Sequence, residues 1–487
     1  MAADTTNAHE MATIHEAAIL PLCVDLDGTL IRSDLLVESA LSLFARNPLM
    51  LFCMLAWLLR GKAYLKRQIA LRVDLDAAHL PYHQGVLDWL REQQASRPTI
   101  LCTASDVNLA EKVATHIGGF ENLLASDGKL NLSGRRKAQV LVDRYGERGF
   151  DYTGNATIDL EVWRHARAAI VVESGTRLST MAAQVTQVVR TFQAVRPSPR
   201  LWVKALRMHQ WVKNILVVLP LLAAHRILDL HAVIAVALAF VSFGCCASSV
   251  YLTNDLLDLT SDRQHHRKRH RPFAAGSLPL MAGPFAAGLL LLAGFGLACF
   301  INKTFVLVLL GYYILTTAYS LRLKRMMMLD VITLAMLYTT RILAGAAAIQ
   351  APPSFWLLAF SMFVFLSLAM VKRYTELLVT QASGKLIASG RGYDVNDIPL
   401  IQSLGASSGY LAVLVLALYI DSTASEALYR HPHYLWMLCP LLLYWISRTW
   451  AIAHRGLMHD DPVVFAIKDK GSLIVLLLCG SIALLAI

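Results

Sequence analysis

Charge is scarce in this chain. Only 16% of its 487 residues are Asp, Glu, Lys or Arg, against 56% hydrophobic, and the mean hydropathy of +0.49 is too apolar for a wholly soluble protein. Metal-binding cysteine patterns are also missing. The eight cysteines, at 23, 53, 102, 245, 246, 299, 439 and 479, form no CxxC and no Cys/His spacing, so most read as small apolar residues. The first twenty residues carry Asp4, Glu10 and Glu16 and lack a basic region followed by an apolar core, so no cleavable leader is expected. The charge that is present is unbalanced, at a formal +11. That excess suits basic membrane-side loops and anionic phosphates or lipids. Nucleic acid fits poorly, because the bases lie between apolar runs.

Length suggests two or three domains. Long apolar runs begin only near residue 211, so the expected architecture is a multi-domain one: an N-terminal α/β domain, 1–195, with a helical cap at about 33–97; a linker and interfacial helix, 196–210; and an all-α membrane bundle, 211–487. Arg196-Pro197-Ser198-Pro199-Arg200 marks the linker. Nine transmembrane helices are expected, at about 211–225, 231–252, 279–301, 304–321, 329–350, 354–372, 403–420, 434–451 and 471–487. The main Lys/Arg clusters fall in alternate loops, which predicts a cytoplasmic N-terminal domain and an outside C-terminus. In the cap, 41–59 is apolar but broken by Arg46, Asn47 and Pro48. It reads as an interfacial helix pair on the bilayer, or else as the cap's own core.

The segment around which the chain is organised is Asn254 to Gly276, NDLLDLTSDRQHHRKRHRPFAAG. If the preceding helix continues, Asn254, Asp258 and Asp262 fall at i, i+4 and i+8 on one face. Hard oxygen donors on one face suit Mg²⁺, which completes its shell with water and substrate phosphate oxygens. Arg263, Arg267, Lys268, Arg269 and Arg271 add partners for phosphate. An ordinary cytoplasmic loop would account for the bases. It does not account for spaced carboxylates at the mouth of an apolar bundle, which cost desolvation energy.

This segment resembles the first aspartate-rich motif of the UbiA-type intramembrane prenyltransferase superfamily, NDxxDxxxD, with the trailing RPxAxG at Arg271, Pro272, Ala274 and Gly276. The resemblance implies Mg²⁺ on Asn254, Asp255, Asp258 and Asp262, a bound diphosphate, and catalytic roles for Asp258 and Asp262, with Arg263 and Arg271 on substrate. Lys213 and Asn214 in HQWVKN open the first span; a lysine there also reads as a snorkelling anchor. Asp330 lies within or beside an apolar helix, where an acid is costly, and matches the superfamily's second acidic motif as a further metal ligand.

In the front half, the apolar run 18–24 delivers Asp25-Leu26-Asp27-Gly28-Thr29-Leu30. In DxDGT the first carboxylate can attack phosphorus, the second can protonate the leaving oxygen, and Gly28 lets backbone N–H groups approach phosphate. The DLDGTL stretch resembles the first motif of the haloacid dehalogenase (HAD) phosphatase superfamily, and implies a Rossmann-like domain. By that resemblance Thr103 binds phosphate and Lys137 neutralises it. Thr153 to Asp159 is similar to the metal-binding GDxxxD, with Asn155 in place of the first acid, so that Asp25, Asp27, Asn155 and Asp159 form the Mg²⁺ set. An amide still ligates through oxygen but brings no charge. A degenerate phosphate-binding or scaffold domain is the alternative.

QWVKN, the NDxxDxxxDR motif, YSxxLK before Asp330, and Lys372-Arg373-Tyr374 with Glu376 together resemble the decaprenyl-phosphate phosphoribosyltransferase branch. The resemblance implies transfer of 5-phosphoribose from phosphoribosyl diphosphate to a polyprenyl phosphate in the bacterial cytoplasmic (inner) membrane. The HAD-like domain is then expected to dephosphorylate the product. Lys213, Lys324, Arg341 and Lys372 are expected on the lipid phosphate or the ribose 5-phosphate. Prenyl transfer to an aromatic acceptor and a non-catalytic lipid-phosphate carrier are the alternatives. Arg391-Gly392-Tyr393 and the tail loop His454-Arg455-Gly456 with Asp460-Asp461-Pro462 are further substrate-binding candidates, and Asp460-Asp461 is expected to be a solvated loop or helix cap in preference to a second metal site.

Overall fold

The computed structural model describes residues 20–384, 386, 392–458 and 461–487; Arg391 and Asp460 lie outside them. The chain divides into two compact units. One comprises the residues up to Ala205 together with Thr253–Phe285, and the other comprises Leu206–Leu252 with Ala286–Ile487. The acidic segment thus belongs to the same unit as the α/β fold.

The first unit is built on six parallel strands: β1 Leu22–Val24, β2 Thr99–Asp106, β3 Asn122–Ser126, β4 Asp151–Gly154, β5 Ala168–Glu173 and β6 Gln187–Gln193. Their spatial order is β3-β2-β1-β4-β5-β6. Parallel strands need crossovers, which cover both faces and call for near-continuous apolar runs. Alternation then sorts side chains between two cores. Leu22, Val24, Leu101, Ile170 and Val172 enter one, and Cys23, Ile100, Cys102, Tyr152 and Val171 enter the other, around the fully buried Trp163. Because β1 pairs with β2 on one side and β4 on the other, the strand order reverses at β1. A crevice forms at the carboxyl ends of such strands.

Between β1 and β2 lie helices α1 Leu35–Arg46, α2 Met50–Leu59 and α3 Lys62–Ala70. Asp34 caps α1 by accepting from the Val37 N–H. Ten residues rise about 15 Å, too short to cross a bilayer. Met50, Met54 and Trp57, at helical spacing, pack on Leu43, Ile69 and Val73, while Leu51, Phe52, Leu55, Leu58 and Leu59 are exposed. The helix thus contributes to the cap's own core on one face and presents an apolar surface on the other.

In the second unit and its continuations, seven helices among the described residues are long and apolar enough to cross a membrane. The pair Pro462–Lys468 and Lys470–Ala486, bent by 75°, makes an eighth if counted as one span. The protein is an integral membrane protein. The segment expected as the first span, 211–225, is a shorter element, a 3₁₀ stretch Met208–Val218 followed by the helix Leu219–Ala223 with Pro220 at its start. It departs from a regular span because it turns Lys213 and Asn214 inward, where both are buried.

Two small residues let this stretch lie close against its neighbours. At Gly244 any Cβ would come within 2.7 Å of the Trp211 ring, and at Gly345 within 2.1 Å of the Val217 carbonyl oxygen. Backbone cannot yield as a side-chain tip does. Gly345→Ala is therefore expected to destabilise the detergent-solubilised protein by about 1–3 kcal/mol despite alanine's better helix propensity. A thermal unfolding curve checks this; an unchanged midpoint would show that the segment is not tightly held.

Candidate functional site

The crevice at β1 gathers the residues expected there from the DLDGTL stretch onward. Asp25 follows β1 and Lys137, from the helix Arg135–Tyr145, donates to its Oδ1 at 2.8 Å and to the Tyr152 hydroxyl at 2.8 Å. Tyr152 donates to Asp159 Oδ1 at 3.2 Å, and Asp159 Oδ2 accepts from the Asn155 and Ala156 N–H groups. Burial works against charge on Lys137, but Asp25 and Asp159 outweigh it and hold the amine protonated. For Asp159, burial and then Asp25 push the carboxyl up to about 6, against Lys137 and the two N–H bonds.

Asp27 has different surroundings. Its Oδ1 accepts from the Leu35 N–H at 2.8 Å, at the start of α1, and its Oδ2 accepts from Ser105 at 2.7 Å and more distantly from Thr103 at 3.4 Å. Burial, then the Asp34 charge, raise it to about 7, a tendency that the Leu35 and Ser105 bonds oppose. A carboxyl poised there can both give and take a proton near neutrality. Both of its oxygens are engaged, as are both of Asp159. Gly28, at φ +76°, makes room for Asn155, whose Nδ2 would lie 2.1 Å from a Cβ there, and Asn155 Oδ1 accepts from Thr29. Above the crevice, cap lysine Lys66 donates to the Ala104 carbonyl and to Asn131.

The acidic segment is almost the expected continuous helix. Leu230–Leu257 ends at Asp258, and a short helix Leu259–Gln264 follows. Helical hydrogen bonds bridge the break, from Asp258 N–H to the Asn254 carbonyl and from Asp262 N–H to Asp258. The bases do not all point to open space. Arg271 joins Asp255 at 3.1 Å and Asp262 at 2.5 Å. Burial raises the Asp262 carboxyl, and Arg271 counters that effect. Arg263, expected on substrate, is instead buried and bonded by both terminal nitrogens to Glu38. Its charge was legible in sequence, but its partner 225 positions away was not.

Among the described residues no three His, Cys, Asp or Glu side chains form a ready-made metal cage. The donors at both places nevertheless fit a hard cation: they are all oxygens, and Arg271 already bridges Asp255 and Asp262 as a cation. Mg²⁺ commonly takes one or two carboxylates and fills its shell with substrate oxygens and water.

In the second unit, three expected bases converge. Lys213 and Lys372 reach the same oxygen of Asp461 at 2.9 and 3.0 Å, and Tyr338 approaches its other oxygen at 3.4 Å. Burial raises the Asp461 carboxyl, but the two ammoniums prevail and hold it well below the usual carboxylate range. Arg341 donates to Asn214 Oδ1 and the Tyr312 hydroxyl, both at 3.1 Å, and lies over the Phe243, Tyr312 and Tyr338 rings. Lys324 sits half-buried on the 3₁₀ turn Leu323–Arg325. Asp330, expected on metal, is fully buried, ion-paired with Arg373 at 2.8 Å and accepting from Tyr319 at 2.9 Å. Asp461 does cap Pro462–Lys468, as expected of it, and it also draws two lysines together. An acid in a short loop between apolar spans was the available signal.

Two layers of likeness to known proteins follow from these features. The profile of the UbiA prenyltransferase family matches residues 215–468, and the chain belongs to that family. It is 37% identical to the uncharacterized protein y4nM of Sinorhizobium fredii, over 93% of this chain and 88% of that one. It is 37% identical to the nodulation protein NoeC of Azorhizobium caulinodans, over 56% of this chain and 89% of that one, and 30% identical to decaprenyl-phosphate phosphoribosyltransferase of Mycolicibacterium smegmatis, over 55% and 86%. A solved UbiA homologue of Archaeoglobus fulgidus, bound to GPP and Mg²⁺, overlaps 58% of this chain and 99% of its own at 17% identity and a TM-score of 0.45.

Proposed function

We propose that the chain transfers 5-phosphoribose from phosphoribosyl diphosphate to a polyprenyl phosphate, and that its N-terminal, HAD-like domain removes the 5-phosphate from the product. The observation that carries the transfer is the gathering of Lys213, Lys372 and Arg341 within an apolar bundle. Three cations against one carboxylate leave an excess positive charge beside apolar helices, and a lipid phosphate answers it. The name carried by the relatives at about 30% identity agrees.

In the transfer, the bond from ribose C1 to the diphosphate breaks and a lipid phosphate oxygen bonds to C1. The acceptor is already anionic and needs no strong base. Asp255, Asp258 and Asp262, with Asn254, would hold Mg²⁺, which supplies charge stabilisation for the departing diphosphate. In the HAD-like reading, Asp25 attacks phosphorus while Asp27 protonates the leaving 5-oxygen; Asp27 then deprotonates the water that frees phosphate from Asp25. Lys137 and Thr103 hold the phosphate, and Asn155 and Asp159 with Asp25 would hold the metal. Counting the bent pair and Met208–Ala223 as spans gives the nine-helix topology, in the cytoplasmic membrane, with the HAD-like domain on the cytoplasmic side. The exposed apolar face of α2 suits contact with the bilayer surface from there.

The test supplies purified protein with Mg²⁺, phosphoribosyl diphosphate and a polyprenyl phosphate, and weighs the lipid product. A phosphoribosyl lipid is expected. No such product, with turnover of a prenyl diphosphate and an aromatic acid instead, would replace this reading with aromatic prenylation.

A further inference from the structure

We propose that Glu38, on the first turn of α1, is a positioning residue for the acidic segment: it holds Arg263 away from Asp255, Asp258 and Asp262, so that this second guanidinium does not compete with a divalent cation for them. The inference rests on the reading of that segment as the metal and diphosphate site. Arg263 directly follows Asp262, and a guanidinium there is a natural competitor for the same carboxylates. Arg271 shows the competition, since it bonds both Asp255 and Asp262.

Arg263 is taken out of that competition by geometry. Nη1 and Nη2 donate to the two Glu38 oxygens at 2.8 and 2.6 Å, and Nε donates to the Ala274 carbonyl at 3.0 Å. A two-toothed pair of this kind fixes direction as well as charge. Both side chains are buried, so neither can exchange its partner for water at low cost.

The surrounding contacts hold the same stretch at other points. Gln264 donates to Asp76 at 2.9 Å, and Lys204 donates to the His270 carbonyl at 3.1 Å. Gly276, at φ +64°, lies so near Arg32 that a Cβ would come within 2.7 Å of its Cβ. The helix that supplies Glu38 is itself anchored in the crevice, because its first N–H, at Leu35, donates to Asp27. One helical turn therefore carries Leu35 on the phosphatase-like carboxyl and Glu38 on the arginine beside Asp262. The α/β fold serves the acidic segment as a structural part, apart from any chemistry of its own.

Removing one partner of a buried pair strands a charge, whereas replacing both with apolar groups does not. The experiment uses this difference. Binding of Mn²⁺ with inorganic diphosphate to the full chain in detergent is followed by electron paramagnetic resonance. Every protein carries Asp25→Asn to weaken metal binding in the crevice. Glu38→Gln is expected to raise the Mn²⁺ concentration at half-saturation by about tenfold, as the stranded Arg263 turns to the carboxylates. The double variant Glu38→Met with Arg263→Met is expected to return it to within about threefold of the parent. Unchanged binding in Glu38→Gln overturns the proposal, and so does a double variant as impaired as the single, which would make the pair a mere fastening. Asp258→Asn separates the underlying reading: if it retains full Mn²⁺ and diphosphate binding, the segment is not the metal site and that reading fails first.

Discussion

Replacing Asp258 with asparagine is expected to lower phosphoribosyl transfer by about 10²–10³-fold while leaving the fold intact. The residue stands at the junction of two helical pieces, where its carbonyl accepts from the Asp262 N–H and its own N–H reaches Asn254. Asparagine keeps that backbone geometry and the side-chain size, so only the charge is lost. If the departing diphosphate is stabilised electrostatically through this segment, losing one carboxylate removes a major part of that stabilisation. Product formation by mass spectrometry, with a thermal unfolding control, reads the result. A carrier without turnover predicts no change in the cell's product lipids, and undiminished transfer in vitro would refute the assigned role.

Asp25→Asn is expected to do something different: the transfer continues, but the lipid retains its 5-phosphate. Loss of a nucleophile costs about 10³-fold or more, and here it also removes a charge from Lys137, which donates to Asp25 Oδ1. The released mass difference of one phosphate distinguishes the two lipids directly. If the wild type also leaves the 5-phosphate in place, the Asn155 substitution has silenced the crevice and the domain's service is structural only. If the variant dephosphorylates as well as the wild type, Asp25 is not the nucleophile.

Local motifs were the legible part of these sites. DLDGTL follows an apolar strand, and the strand order reverses there, so Asp25, Thr103, Lys137 and Asp159 meet because the chain topology brings β1, β2 and β4 side by side. Helical spacing foresaw the acidic segment, though it did not show that Arg271 would draw Asp255 to Asp262. Hydropathy located the long spans and overextended the first, because a stretch that buries a lysine and an amide can be as apolar on average as one that faces lipid. What the sequence hides is pairing across distance. Nothing near Arg263 in the chain announces Glu38, and nothing near Asp330 announces Arg373. Asp461 reads as a solvated loop residue or a helix cap; it is a cap, but a mostly buried one. Its bonds to Lys213 and Lys372 depend on helices that meet only in three dimensions.

The discontinuity of the first compact unit also bears on how the protein is made. A ribosome finishes the six strands well before it reaches Thr253–Phe285, the stretch that completes the unit. At 5–20 residues per second that interval is on the order of ten seconds. For that time Glu38 lacks Arg263, the arginine that it pairs with, and the α/β fold emerges with a seat unfilled. Its completion must wait until the chain has passed through most of the helix Leu230–Leu257, at whose end the missing piece begins.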